Sequence, residues 1–254
     1  MSTDSHLLSD EHLVGLLRPS SWEAEPYRTL RHMLERLRGA AQKSLVLAVS
    51  SATPGDGKTT TALNLAASLA EGPRTKVLVI DCDLRRGDVA RQLGLKGATD
   101  MGPGICGAVR NPLLTLGDIT WTLASRPFSV VPTGPMPPAP YEILESPQFG
   151  ALIEQARVEY DFIVIDTPPF IPFADCRVLS RWVDWFALVI GAHHTPRKLI
   201  EETLNVVDPS KLLGIIFNGD DSALWGSNRY YAYAAAFDRP APKILRTPPT
   251  EDQP

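Results

Sequence analysis

The segment Ala52-Thr-Pro-Gly-Asp-Gly-Lys58-Thr59 has the residue types of a loop that holds a chain of phosphates. Gly55 and Gly57 can turn backbone N–H groups toward an anion, because neither carries a Cβ that forbids the required dihedrals. Lys58 places a point charge where β- and γ-phosphates would lie, and the Thr59 hydroxyl is a hard oxygen suited to Mg²⁺. A helix opening at Thr59 adds the positive end of its dipole. The pattern is a Walker A motif with Ala52 in place of the first glycine. Gly55, Asp56, Gly57, Lys58, Thr59 and Thr60 are the residues expected to contact nucleotide.

Two further segments bring acid to the same region. In Val77-Leu-Val-Ile-Asp81-Cys-Asp83 an apolar run ends in two carboxylates, which an extended chain would put on one side. Phe162-Ile-Val-Ile-Asp166 repeats the pattern. One strand-end aspartate is commonly no more than a cap. Three beside a phosphate loop repel one another unless a divalent cation and a triphosphate sit among them, so ATP with Mg²⁺ is the expected occupant.

The elements that must position these groups are read from apolar runs. Leu45–Val49, Val77–Ile80, Ser129–Val131, Phe162–Ile165, Phe186–Ile190 and Leu212–Phe217 read as buried strands. Thr59–Glu71, Phe149–Glu159, Asp175–Trp182 and Arg197–Val207 read as helices between them. Such alternation gives an α/β P-loop NTPase fold: a doubly wound, mostly parallel sheet flanked by helices, with ligand beyond the carboxyl ends of the strands. A helix from Ser20 precedes it, with Ser20 and Glu23 at capping-box spacing, Leu30, Met33, Leu34 and Leu37 at helical period, and Gly39 as its stop. Residues 97–127 are rich in Gly and Pro and receive no regular element. The chain then divides into a flexible N-terminal segment 1–19, a domain 20–218 and a mobile C-terminal tail 219–254 carrying Tyr230, Tyr231 and Tyr233.

Composition narrows the partners. The chain has 254 residues, 44% hydrophobic and 21% charged, enough for a sizeable core. Its net charge, 25 − 29 = −4, supplies no global attraction to nucleic acid. Three cysteines without paired spacing imply reduced thiols and no zinc. No apolar run approaches the ~20 residues of a spanning helix, and the N-terminus lacks secretory features, so a cytoplasmic location is expected.

Together these residues resemble the bacterial tyrosine kinases, the cytoplasmic ATPase modules of polysaccharide co-polymerase systems. The likeness runs from about Ser20 to Asn218. It comprises Glu25-Pro-Tyr-Arg28-Thr-Leu-Arg31 as the family's ExxRxxR helix, Ser51–Thr61 as Walker A and Val79–Arg85 as Walker A′. It continues through Val131–Pro135, Glu142–Ser146, Tyr160–Pro169 as Walker B, Asp175, and Leu213–Asn218 as the last strand. The resemblance implies a protein-tyrosine autokinase serving exopolysaccharide production. It places Lys58 and Thr59 on phosphates and metal, Thr59, Asp83 and Asp166 around Mg²⁺, and Asn218 near the adenine. Asp81 would take the proton of an incoming tyrosine. Tyr230, Tyr231 and Tyr233 would accept phosphate between subunits, and Glu25, Arg28 and Arg31 would pack on a neighbour in a ring. A separate membrane activator protein would recruit the chain to the inner face of the cell membrane.

Residue types alone leave alternatives open. The tyrosines serve equally well as aromatic packing, and acid–base pairs at i, i+3 are ordinarily surface pairs worth a few tenths of a kcal/mol. Twelve residues from Asn218 to Tyr230 span at most about 40 Å, which permits reach to either a neighbour's site or the chain's own. A partition or placement ATPase shares the loop, but carries a signature lysine where Thr53 stands here. A non-catalytic nucleotide-dependent adaptor is disfavoured by the set Lys58, Asp81, Asp83 and Asp166.

Overall fold

Seven consecutive buried residues, Leu45–Ser51, form strand β1 in the middle of a seven-stranded sheet. The computed structural model describes residues 10–41, 43–95, 102–122 and 128–219. The other strands are β2 (Val77–Asp81), β3 (Trp121–Thr122), β4 (Ser129–Val131), β5 (Phe162–Asp166), β6 (Trp185–Gly191) and β7 (Leu212–Asn218), in the order β3-β4-β2-β5-β1-β6-β7. Only the short β3 runs antiparallel to its neighbour; the remaining pairs are parallel. Five of the strands run one or two residues further at their carboxyl ends than their apolar runs suggest. The extra residues, Ser50, Ser51, Asp81, Asp166, Gly191 and Asn218, include polar groups that stay in the ladder and so reach the sheet's edge in fixed register.

Helices cover both faces, as strands apolar on both sides require. One face packs α1 (Val14–Leu17), α2 (Glu25–Ala41), α3 (Lys58–Leu69) and α4 (Val89–Gln92). The other packs α5 (Gly104–Arg110), α6 (Leu116–Ile119), α7 (Pro140–Glu145), α8 (Pro147–Glu159) and α9 (Asp175–Leu179), with Ile200 and Leu204 of α10 (Arg197–Val206) against the same core. Helix α3 is buried nearly all round because it lies between the sheet and α1 and α2; its alanines let all three approach. In α8, Phe149, Leu152, Ile153 and Ala156 supply the i, i+3, i+4, i+7 stripe.

Several local expectations are corrected. Ser20 and Glu23 form no capping box: a 3₁₀ turn, Trp22–Ala24, precedes α2, and Glu23 instead faces Arg18 at 3.4 Å. Gly39 does not stop α2, which continues to Ala41. The Gly/Pro-rich stretch contains α5, α6 and β3, and its capping box is Thr115 with Asp118. Gly104 and Gly134 both have positive φ, and a Cβ on Gly134 would collide with the Pro103 carbonyl. Glycine there is what lets two backbone segments cross. Residues 10–17, expected to be flexible, dock on α3: Leu13 is fully buried, and Asn64 accepts from Gly15 N at 2.8 Å while donating to His12 O at 2.9 Å. Tyr230, Tyr231 and Tyr233 lie outside the described residues, as does the tail from residue 220.

Candidate active site

The loop from β1 to α3 is shaped by two residues with φ of 90°, Gly55 and Gly57. At Gly57 a side chain would also strike the Asn218 amide, which donates to Asp56 O at 3.0 Å. The end of β7 therefore sits directly on the phosphate loop. The Asp56 carboxylate is buried and accepts from Thr53 N (2.8 Å), Thr53 Oγ1 (2.9 Å) and Thr195 Oγ1 (2.6 Å). What Asp56 offers a ligand is its backbone. The Thr60 hydroxyl is likewise engaged elsewhere, donating to Gln92 Oε1 at 3.0 Å.

The charged cluster follows from strand register. Asp81 and Asp166 end adjacent strands and are paired in the ladder. Thr59 Oγ1 donates to Asp166 Oδ2 at 2.7 Å, and Lys58 Nζ lies 3.1 Å from Asp83 Oδ2. Asp81 and Asp83 do not share one side of a strand, because β2 ends at Asp81 and the chain turns. Asp83 O accepts from Arg86 N and Gly87 N, while Asp81 braces the turn from beneath, accepting from Asp83 N at 3.2 Å and Val89 N at 3.1 Å. The expected proton acceptor is thus 1% exposed.

Burial dominates the electrostatics. It raises Asp81 well above the usual carboxylate range, with the Asp166 charge adding to the effect. It pushes Asp166 up to about 7, against the opposing pull of the Lys58 ammonium and the Thr59 hydroxyl. Burial alone would lower Lys58, but Asp166 and Asp83 outweigh it and hold the amine above its ordinary value. Among the described residues, Asp166 Oδ1 is buried with no hydrogen-bond partner. So is Asp175 Oδ1, whose other oxygen meets Arg85 at 3.4 Å. An orphaned carboxylate oxygen beside a threonine hydroxyl is the donor set a hard cation takes, so Thr59, Asp83 and Asp166 fit Mg²⁺. Among the described residues no group of three or more His, Cys, Asp or Glu closes around a metal position. A cation here would draw most of its oxygens from phosphate and water, as Mg²⁺ commonly does.

The α2 stripe is paired within the chain. Arg28 meets Glu25 at 2.8 Å and Glu71 at 3.7 Å, while Arg31 meets Glu71 at 2.8 Å and donates to Ser68 O at 3.0 Å. These cations tie α2 to the carboxyl end of α3, where a helix dipole favours positive charge.

Comparison with known proteins decides the family. The model of the CobQ/CobB/MinD/ParA nucleotide binding domain matches residues 47–223. The chain is 31% identical over 222 residues to the tyrosine-protein kinase YwqD of Bacillus subtilis, covering 87% of this chain and 91% of that one. The kinase domain of the Escherichia coli tyrosine kinase ETK superposes with a TM-score of 0.76 at 26% identity, covering 89% of each chain. The chain belongs to the bacterial tyrosine kinases. Members differ in extent: the tyrosine-protein kinase wzc of Salmonella typhimurium is 30% identical over 208 residues, 81% of this chain but 28% of its own length. In this family member no helix among the described residues is long and apolar enough to cross a membrane. Thr195 and Gln92 are the site neighbours that sequence reasoning missed. Thr195 lies 139 positions from its partner Asp56, and no local pattern could have joined them.

Proposed function

We propose that the chain is an ATP- and Mg²⁺-dependent protein-tyrosine kinase that phosphorylates Tyr230, Tyr231 and Tyr233 of a neighbouring copy in the service of exopolysaccharide production. The observation that carries this reading is the pair of contacts Lys58–Asp83, in the turn after β2, and Thr59–Asp166, at the end of the neighbouring β5, with one Asp166 oxygen left without a partner among the described residues. Bound Mg²⁺ would offset charge on the phosphates. The tyrosine oxygen forms a bond to the γ-phosphorus as the bond to the departing ADP oxygen breaks, and the phenolic proton passes to Asp81. A phenol of pKa about 10 keeps its proton at neutral pH, so a carboxylate acceptor is useful, though positioning and charge stabilisation carry most of the rate. Asp81 must first be uncovered; residues 82–89 are the turn that has to move. Asn218 would border the adenine, since its amide already lies on the phosphate loop.

Recruitment to the inner face of the membrane by a separate activator, and self-association through the outer edge of α2, complete the proposal. The test is incubation with labelled ATP and Mg²⁺, with and without the activator's cytoplasmic segment, followed by mapping of the phosphate. Label on the tail tyrosines that falls at least ~100-fold in Lys58→Met is expected. Hydrolysis without protein labelling would mark a partition-type ATPase, and binding without either activity an adaptor.

A further inference from the structure

We propose that Thr195 is a positioning residue for nucleotide binding: through Asp56 it latches the loop between β6 and α10 onto the phosphate loop and sets that loop's shape. The proposal rests on the reading of residues 52–59 as the phosphate site, and it adds to that site a residue from outside the Walker motifs.

Asp56 is a carboxylate at 1% exposure whose hydrogen-bond partners are not cations. A buried carboxylate of this kind is tolerable only when several donors converge on it. Two come from Thr53, inside the loop. The third and shortest, at 2.6 Å, is the Thr195 hydroxyl. That hydroxyl has one proton, and its oxygen also accepts from Gly191 N at 3.0 Å, so its orientation is fixed and its proton is committed to Asp56. Gly191 is the residue that permits the approach, since a Cβ there would stand 3.0 Å from Asp56 Oδ1.

The same residue is held at its carbonyl. Asn218 Nδ2 donates to Asp56 O at 3.0 Å, and Ala192 N donates to Asn218 O at 2.8 Å. The side chain of Asp56 is thus gripped from the loop after β6, and its main chain from the end of β7. The peptide units flanking Asp56 belong to Gly55 and Gly57, the residues that must aim N–H groups at phosphate. Glycines at φ of 90° have little intrinsic preference for that conformation, so an external hold is what keeps it populated.

The experiment uses the full chain and Mg²⁺ with ADP, a nucleotide that is not turned over, with affinity measured by calorimetry. Thr195→Val keeps the shape and removes the donor; its Kd should rise about tenfold, while the maximal labelling rate at saturating ATP falls much less. Thr195→Ser should bind within about twofold of the parent, because the hydroxyl is kept. In an Asp56→Asn background, adding Thr195→Val should change Kd by clearly less than tenfold, since the charged acceptor is already gone. A parental Kd in Thr195→Val overturns the latch, as does a Thr195→Ser chain that binds as weakly as the valine variant. Should the valine variant fail to fold, a parental Kd in Asp56→Asn overturns it instead. A parent that binds ADP yet labels no tyrosine defeats the kinase reading and leaves the latch standing; a parent that takes up no ADP defeats both.

Discussion

The two ends of the central sheet carry aspartates in opposite electrical condition. At the amino ends, Asp184 accepts from both terminal nitrogens of Arg157, at 2.9 and 3.0 Å, and from Val46 N at 2.8 Å. Burial works against its charge, but Arg157 and the Val46 amide outweigh it and keep the carboxyl below its ordinary range. Asp161 nearby is paired with Arg38 and accepts from Lys76 N. At the carboxyl ends, Asp81 and Asp166 are pushed up, and oxygens of Asp166 and Asp175 have no partner among the described residues. The amino end has a cleft of its own, about 600 Å³, lined by Arg38, Arg157 and Asp161 among others. What separates them is satisfaction. The carboxylates of one end are finished by cations and amides of the protein, whereas those of the other are left incomplete in the way a ligand with metal and phosphate would complete.

Breaking the finished end should give the larger change in stability. Asp184→Ala strands the Arg157 guanidinium and the Val46 N–H, so unfolding in urea should show a loss of about 2–3 kcal/mol. Nucleotide affinity should hardly move, because no part of the phosphate site touches these groups. A variant that keeps its stability but loses nucleotide would abolish the distinction between the two ends.

Neutralising the unfinished end should act in the other direction. A carboxyl raised in the fold is favoured when protonated, so the ionised Asp166 costs stability as pH climbs from its unfolded value near 4 through about 7. Asp184, lowered in the fold, has the reverse sign: its contribution is present at neutral pH and fades as pH falls below about 4. Asp166→Asn, which can still accept from Thr59, should therefore stabilise the ligand-free chain, and by about 1–2 kcal/mol more at pH 8 than at pH 5. Melting curves at the two pH values check this, with Mg²⁺–ADP affinity falling in the same variant. An equal or smaller gain at pH 8 would mean that Asp166 is not the strained group.

Much of the unfinished end was legible in the sequence because its chemistry is local. Lys58 and Thr59 follow a glycine loop, and Asp81 and Asp166 close uninterrupted apolar runs. The parallel order follows from strands that are apolar on both faces. What escaped was set by contacts between distant segments. Thr195 and Asp56 are joined only by the fold. Gly104 fell in a stretch given no regular element, although with Gly134 it serves a backbone crossing beside a genuine helix. Asp83 left the strand because the chain turns after Asp81, which period-two counting cannot foresee. Ser20 and Glu23 had capping-box spacing, yet Glu23 met Arg18 and the helix began later. Spacing identifies candidates; only packing selects among them.

The smallest effects are expected on the α2 stripe, where the same contrast can be drawn between neighbouring arginines. Arg31 is 15% exposed and its Nη1 meets both Glu71 and Ser68 O, so it belongs to the contact between α2 and the end of α3. Arg28 is 26% exposed, and its partner Glu25, 54% exposed, lies at the outer edge of the helix. If α2 is the proposed contact between copies, the two should part company. Arg31→Gln should lower unfolding stability by about 1 kcal/mol with no change of mass in light scattering. Arg28→Glu should reduce the mass, because the proposed contact loses its cation. An unchanged mass in Arg28→Glu would return this stripe to the role its intrachain pairs already account for, the fastening of α2 to the end of α3.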